Sequence, residues 1–466
     1  MRRPLLWPPP GGRHLLAMDA SLLITRAAGW AAGVFQSIER AGGPIPAGPV
    51  LVVANHPNSL LDPLVVFRVA GRPTRPLAKA PLFEQRMIGT MLRGLGGLPV
   101  YRAQDDPAQM HRNEETFRGA IDALRAGDAV QIYPEGRSHS DPSLAPMRTG
   151  AARIAIGAEN AAGWSLGLRI VPVGLTYQDK HRFRGRVLAV IGEPFEIADL
   201  RSLHATDEVA AVRLLTDRIA QRLADVTLNV AQHSDADLID TAERLYVRQK
   251  GVSRWRDRDP LADRLPRLRA FARGLAWLRE TNPARHERLA RAVARYRRRA
   301  QLLGVADGDV PPRYSFRGTL RYILTQTLLL LILAVPAFAG SVIWYPTYIA
   351  PQLTLRLVRP DFEAVATYKL ATAFIAVPLT MLIAIVIGAL LGGARGVLIA
   401  ALAAPACGFA ALAWHDRWAR FREDARLFFR VLSRRDHRDR LARDRAALAA
   451  EFDELVEAQN GAAQIR

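Results

Sequence analysis

The chain has 466 residues, with 64 Lys and Arg against 44 Asp and Glu, a formal charge of +20. Cys407 is its only cysteine, which excludes a disulfide framework and a thiolate metal site and fits a reducing, cytoplasm-facing catalytic domain. No HExxH, P-loop or strand-following GxGxxG occurs, so no metal or nucleotide cofactor is encoded. Lys79, Lys180, Lys250 and Lys369 are the only lysines, and nearly all the basic charge is arginine. Such a surface suits nucleic acid, anionic lipid head groups or an acidic carrier protein. Long apolar segments near the C-terminus decide for lipid and against nucleic acid.

The opening residues, MRRPLLWPPPGG, lack the apolar core of a secretory signal, and Met18 is read as an alternative start. Ser21 to Ile38 sets Leu23, Ala27, Trp30, Val34 and Ile38 along one helical face. Two readings fit residues 1–43: a helix lying on a membrane surface, or one packed on its own domain.

Val50 to Pro63, VLVVANHPNSLLDP, carries the chemistry. Four aliphatic residues, Val50 to Val53, read as a buried strand that ends in Asn55 and His56, and strand ends are where α/β sheets hold their ligands. Pro57 and Asn58 turn the chain, and Asp62 follows, with room to fold back on His56. Neutral imidazole accepts a proton from a hydroxyl, while a carboxylate on its other nitrogen fixes the tautomer and stabilises the imidazolium. The plainer reading makes His56 and Asp62 a turn residue and a cap.

Strand and helix signals alternate from Pro76 to Ala126, with Leu98 to Tyr101 a strand and Pro107 to Arg125 an amphipathic helix. A second aliphatic strand, Ala129 to Tyr133, runs into YPEGRSH. There Glu135 and Gly136 set a carboxylate and backbone N–H groups at a sheet edge, and Arg137, Ser138 and His139 add donors suited to phosphate or thioester oxygens. A third apolar run, Leu168 to Val173, ends at Gly174. The expected fold is an α/β catalytic domain, a mixed sheet covered by helices, followed by an α-helical region and C-terminal transmembrane helices.

Four blocks in order, NHPNSLLDP, GGLPVYR ending at Arg102, YPEGRSH and IVPVG, resemble the glycerolipid acyltransferases, which acylate glycerol 3-phosphate or lysophosphatidic acid. The likeness covers roughly residues 44–196. Two departures coincide: five residues, not four, separate His56 from Asp62, and EGRSH stands where EGTRS is usual. Both resemble the branch with fungal glycerol-3-phosphate and dihydroxyacetone-phosphate acyltransferases. The resemblance implies that His56 is the general base, Asp62 its orienting partner, and that Arg102, Glu135, Gly136, Arg137 and Ser138 seat the phosphate-bearing acceptor. It also implies acyl-CoA or acyl-carrier protein as co-substrate, no further cofactor, and an oxyanion held by N–H groups near Gly136.

The catalytic domain is expected over residues 44–200 and a basic helical region over 201–316, with Asn282 and Pro283 opening the second helix of a hairpin whose outer arginines face anionic lipid. Residues 317–416 hold three apolar segments. The first, Tyr322 to Leu355, contains Pro336, Pro346 and Pro351 and is read as a broken hairpin or re-entrant segment. A two-helix hairpin turning at Gly392 to Arg395 follows, with Trp344, Tyr345, Tyr348 and Trp414 as interfacial anchors. Arginines flanking these segments place the chain in the inner membrane as a multi-pass protein with its catalytic domain in the cytoplasm. The tail, residues 417–466, is read as an exposed charged helix. Two rival functions remain: a non-catalytic lipid-binding scaffold in which the five-residue spacing keeps His56 from Asp62, and a hydrolase using Ser59 or Ser138.

Overall fold

The computed structural model describes residues 14–102, 106–178, 180, 182–230, 233–250, 260–302, 316–360, 362, 365–433 and 435–464. They form two compact units, one running up to Asn229 with Phe362–Thr367, the other comprising Val230–Asp361 and Tyr368–Arg466.

In the first unit α1 (His14–Phe35) leads into β1 (Gln36–Ala41), then β2 (Val50–Ala54), α2 (Leu61–Ala70), β3 (Thr74–Lys79), α3 (Pro81–Glu84), α4 (Arg86–Gly94) and β4 (Leu98–Val100). There follow α5 (Asn113–Arg125), β5 (Ala129–Ile132), α6 (Gly150–Ala161), β6 (Arg169–Tyr177), β7 (Gly185–Ile191), α7 (Arg201–Thr206) and α8 (Glu208–Ala224). The strands make one sheet in the order β1-β7-β6-β2-β5-β3-β4. Every neighbouring pair is parallel except β6 with β7. This is the mixed, helix-covered sheet expected from the alternating pattern.

Central β2 is buried along its whole length, which is why it reads as a continuous aliphatic run rather than an alternating one. Leu51 and Val53 enter a core with Leu124 of α5, Ile154 of α6 and Ala211, Leu215, Ile219 and Leu223 of α8. The domain expected to close near Leu200 therefore continues through α8, whose apolar stripe completes that core.

The N-terminal boundary moves as well. β1 pairs with β7 from Gln36↔Gly185 to Ala41↔Val190, so the segment after α1 is an edge strand, and its polar sequence QSIERA suits that position. Ala28, Ala31, Ala32 and Phe35 form the buried face of α1, packed on α2. The larger residues Leu23, Trp30 and Val34 are exposed, and Ile38 lies in β1.

The second unit comprises α9 (His233–Gln249), α10 (Leu261–Thr281), α11 (Pro283–Leu302), α12 (Phe316–Val358), α13 (Val365–Ser433) from Tyr368 onward and α14 (Arg435–Gln464). The α10–α11 hairpin forms as expected, with Asn282 Oδ1 accepting from Arg285 N at 3.0 Å. The tail corrects its reading as an exposed helix: α14 buries Leu441, Leu448, Phe452 and Leu455 and packs on α9, α10 and α11. Two arginines of this unit are ion-paired, Arg264 where it is buried and Arg297 at the surface. Arg264 meets Glu243 at 2.8 Å and Asp240 at 2.6 Å, and Arg297 meets Asp237 at 2.8 Å.

Leu320–Val358 and Val365–Arg422 are long and apolar enough to cross a membrane. The first is one helix through Pro336, Pro346 and Pro351, not the broken hairpin that its prolines suggested. Proline removes a single donor, and neighbouring helices tolerate the gap in apolar surroundings. α13 departs from helical geometry at Gly392 and Gly393, at the expected turn. Trp344 and Trp414 donate their indole N–H groups to Ala404 O at 2.9 Å and Leu330 O at 3.1 Å, joining α12 to α13.

Leu215 is fully buried where α8 meets the sheet. Leu215→Ala is expected to destabilise the domain by about 2–5 kcal/mol, measured by urea unfolding. A domain ending at Leu200 would be indifferent to it.

Candidate active site

β2, β3, β4, β5 and β6 run parallel, so their C-terminal ends share one sheet edge. His56 follows β2 there. Just before it, the Asn55 side chain continues the ladder to β6, donating from Nδ2 to Leu175 O at 3.0 Å and accepting from Leu175 N at 2.7 Å.

The backbone of His56 is held on both sides. Its N–H donates to Glu135 Oε1 at 2.9 Å, and its carbonyl accepts from His139 N at 3.2 Å. Its ring stacks on Tyr133, with centroids 4.1 Å apart. Nδ1 lies 2.8 Å from Asp62 Oδ2, which leaves Nε2 as the nitrogen not engaged by the carboxylate.

Asp62 has a fully buried side chain, and an unpaired carboxylate there would be costly. Three donors offset that cost: the His56 ring, Asn58 N at 2.6 Å and Tyr177 Oη at 2.7 Å. The fifth intervening residue is absorbed in the turn. Leu61 N donates to Asn58 O at 3.0 Å, Asp62 N to Ser59 O at 3.3 Å, and Ser59 adopts φ +40°. The longer spacing thus still lets the pair form, which removes the geometric ground for the scaffold reading.

Burial, then the Asp62 charge, pushes the Tyr177 and Tyr133 phenols well above their ordinary range. Both stay protonated, and Tyr177 stays a donor to Asp62.

The remaining expected site residues separate. Glu135 has a fully buried side chain whose carboxylate accepts from His56 N, Ala145 N at 2.7 Å and the His139 ring, so it has no face for an acceptor phosphate. Its expected role as a phosphate ligand is corrected to that of a clip on the His56 backbone. Gly136 is in the left-handed region at φ +71°, suited to glycine, and its N–H donates to Tyr133 O at 3.0 Å. That N–H is engaged in a turn, which leaves the expected oxyanion contact to other N–H groups near Gly136. Arg137 is exposed and 3.5 Å from Asp141, and Ser138 beside it is half-buried. Arg102 follows β4 at the same sheet edge, three strands from β2, or about 14 Å.

Tyr177, Asn55 and His139 are the participants whose roles sequence reasoning missed. Tyr177 lies 115 residues from Asp62, and its only local signal is its place at the end of an apolar strand. Lys180 also borders the loop: its carbonyl accepts from Asn58 Nδ2 at 3.2 Å, and its Nζ donates to Ser140 Oγ at 3.2 Å. No cluster of metal-ligating side chains occurs among the described residues.

A sheet-edge histidine paired with a buried carboxylate has the geometry a general base needs, and residues 37–176 match the family described as Acyltransferase, so the chain carries an acyltransferase domain. Glycerol-3-phosphate O-acyltransferase 2 of Saccharomyces cerevisiae is 28% identical over 283 residues, covering 57% of this chain and 37% of the yeast protein. The 1-acyl-sn-glycerol-3-phosphate acyltransferase of Bacillus subtilis is 28% identical over 156 residues, covering 32% of this chain and 67% of that protein. Residues 37–176 are thus similar to an acyltransferase domain whose curated relatives are glycerophosphate acyltransferases. It spans little more than a third of the yeast relative's length. The crystal structure of a lysophosphatidic acid acyltransferase from Thermotoga maritima aligns over 45% of this chain and 80% of its own, at 21% identity and a TM-score of 0.32.

The raised phenols carry a signed pH dependence. Unfolded tyrosines release their protons from about pH 10, while the folded chain keeps them. The contribution is complete below pH 10 and is lost as pH rises toward the folded values, by about 1.4 kcal/mol per pH unit per phenol. Tyr177→Phe is expected to flatten this alkaline decline, followed by urea unfolding between pH 8 and pH 11.

Proposed function

We propose that the protein transfers a fatty acyl group from an acyl-CoA or acyl-carrier-protein thioester to a hydroxyl of a glycerophosphate, glycerol 3-phosphate or lysophosphatidic acid. The observation that carries this reading is the 2.8 Å contact between His56 Nδ1 and the buried Asp62 carboxylate. Asp62 keeps the Nδ1 proton in place, so His56 Nε2 accepts the acceptor's hydroxyl proton as its oxygen attacks the thioester carbonyl carbon. The carbon–sulfur bond breaks, and the thiolate takes that proton back from the imidazolium. No covalent enzyme intermediate is needed. The acceptor phosphate is assigned to Arg102, with Arg137 and Ser138 as further contacts along the same edge. The co-substrate thioester is the only additional molecule the reaction calls for.

The printed activities of the yeast and Bacillus relatives support the glycerophosphate acceptor. Membrane residence is supported by the two apolar helices and by the exposed face of α1, where Leu23 is 66% and Trp30 65% exposed. Aliphatic and indole side chains presented outward suit the lipid interface. We assign the protein to the inner membrane, multi-pass, with its catalytic domain in the cytoplasm, because arginines flank the apolar segments.

Membranes carrying the wild type, His56→Ala, or Ser59→Ala with Ser138→Ala, are to be supplied with labelled acyl donor and each acceptor. Acylated glycerophosphate is expected from the wild type and the double serine variant, with a loss of about 10²–10⁴ in His56→Ala. Loss in the serine variant with activity retained in His56→Ala would favour the hydrolase chemistry.

A further inference from the structure

We infer that His139 is a positioning residue for His56, acting through the Glu135 carboxylate. The inference rests on the reading of His56 as the base and adds a group that does not itself meet the acceptor.

Glu135 accepts the His56 N–H, and so fixes the peptide that delivers the base. An acceptor-only carboxylate with no exposed side-chain surface stays in place only while its donors do. One donor is Ala145 N, and the other is the ring of His139, through Nε2. Asp141 N–H donates to His139 Nδ1 at 3.2 Å, so the neutral ring carries its proton on Nε2, facing Glu135. The Asp141 carboxylate also lies 3.2 Å from Nδ1, so a doubly protonated ring keeps its Nε2–H on Glu135 as well.

His139 acts on the other side of His56 too, donating its own backbone N–H to the His56 carbonyl. One short loop thus clamps the base from both directions. The alternative assignment, His139 and Glu135 as acceptor ligands, conflicts with the contacts they already make: the two side chains meet each other, Glu135 also accepts from His56 N and Ala145 N, and His139 Nδ1 accepts from Asp141 N.

The test measures kcat and the acceptor KM for the full-length protein in membranes, in His139→Leu, His139→Gln, His139→Asn, Glu135→Gln and the His139→Leu/Glu135→Gln pair, with His56→Ala alongside. Glutamine carries its amide N–H close to the place of imidazole Nε2, whereas asparagine is one methylene too short. His139→Leu is expected to lower kcat roughly ten- to hundredfold through a misplaced base, with KM unchanged. His139→Gln is expected to restore most of kcat and His139→Asn to stay low, a comparison that serves if the leucine variant does not fold. In the Glu135→Gln background His139→Leu is expected to add less than its single effect. Wild-type kcat in His139→Leu, a raised KM with kcat kept, equal losses in the Gln and Asn variants, or fully additive losses would each overturn the inference. Activity surviving in His56→Ala is a different failure, that of the base itself.

Discussion

The site depends on one buried charge. Asp62 is enclosed at the start of α2, and its carboxylate is tolerable there because the His56 ring, the Asn58 amide and the Tyr177 hydroxyl all donate to it. Those donors come from the end of β2, the turn after it and the end of β6. Satisfying Asp62 therefore aligns three parts of the chain and sets which nitrogen of His56 faces outward. The site's order follows from an electrostatic need, and the chemistry uses what that order leaves available.

Around this pair the sheet supplies rigidity. β2 is central and buried on both faces, Asn55 extends its pairing to β6, and the loop after β5 grips the His56 backbone through Glu135 and His139. A base aimed by strand ends needs little reorganisation when an acceptor arrives. The carboxylates divide their labour: Asp62 acts on the ring and Glu135 on the main chain.

Much of this was legible in the sequence. The aliphatic runs of β2, β5 and β6 announce buried parallel strands, and the polar residues at their ends mark the functional edge. What escaped was decided by tertiary partners. QSIERA has no strand pattern because β1 is an edge, paired on one side by β7. The face of α1 rich in large apolar residues was open to either reading, membrane surface or packing, and only the structure shows that the small residues Ala28 and Ala32 pack against α2 while Leu23 and Trp30 stay exposed. The prolines of α12 read as breaks, yet a lost donor is bearable inside an apolar helix assembly. The charged tail hid the stripe of Leu441, Leu448 and Phe452 that seats α14 in its bundle. Glu135 was misassigned because its motif shows a carboxylate near a turn without showing that its donors are already in place.

In the proposed reaction the Asp62 charge is what makes His56 a base. The most direct measurement is the turnover of Asp62→Asn in membranes, with acceptor KM determined in parallel. An asparagine nearly isosteric with the carboxylate preserves the packing but removes the charge that stabilises the imidazolium. A fall in kcat of about 10²–10⁴ with the acceptor KM unchanged is expected. Wild-type turnover in this variant would contradict it and leave the His56–Asp62 contact as structure alone.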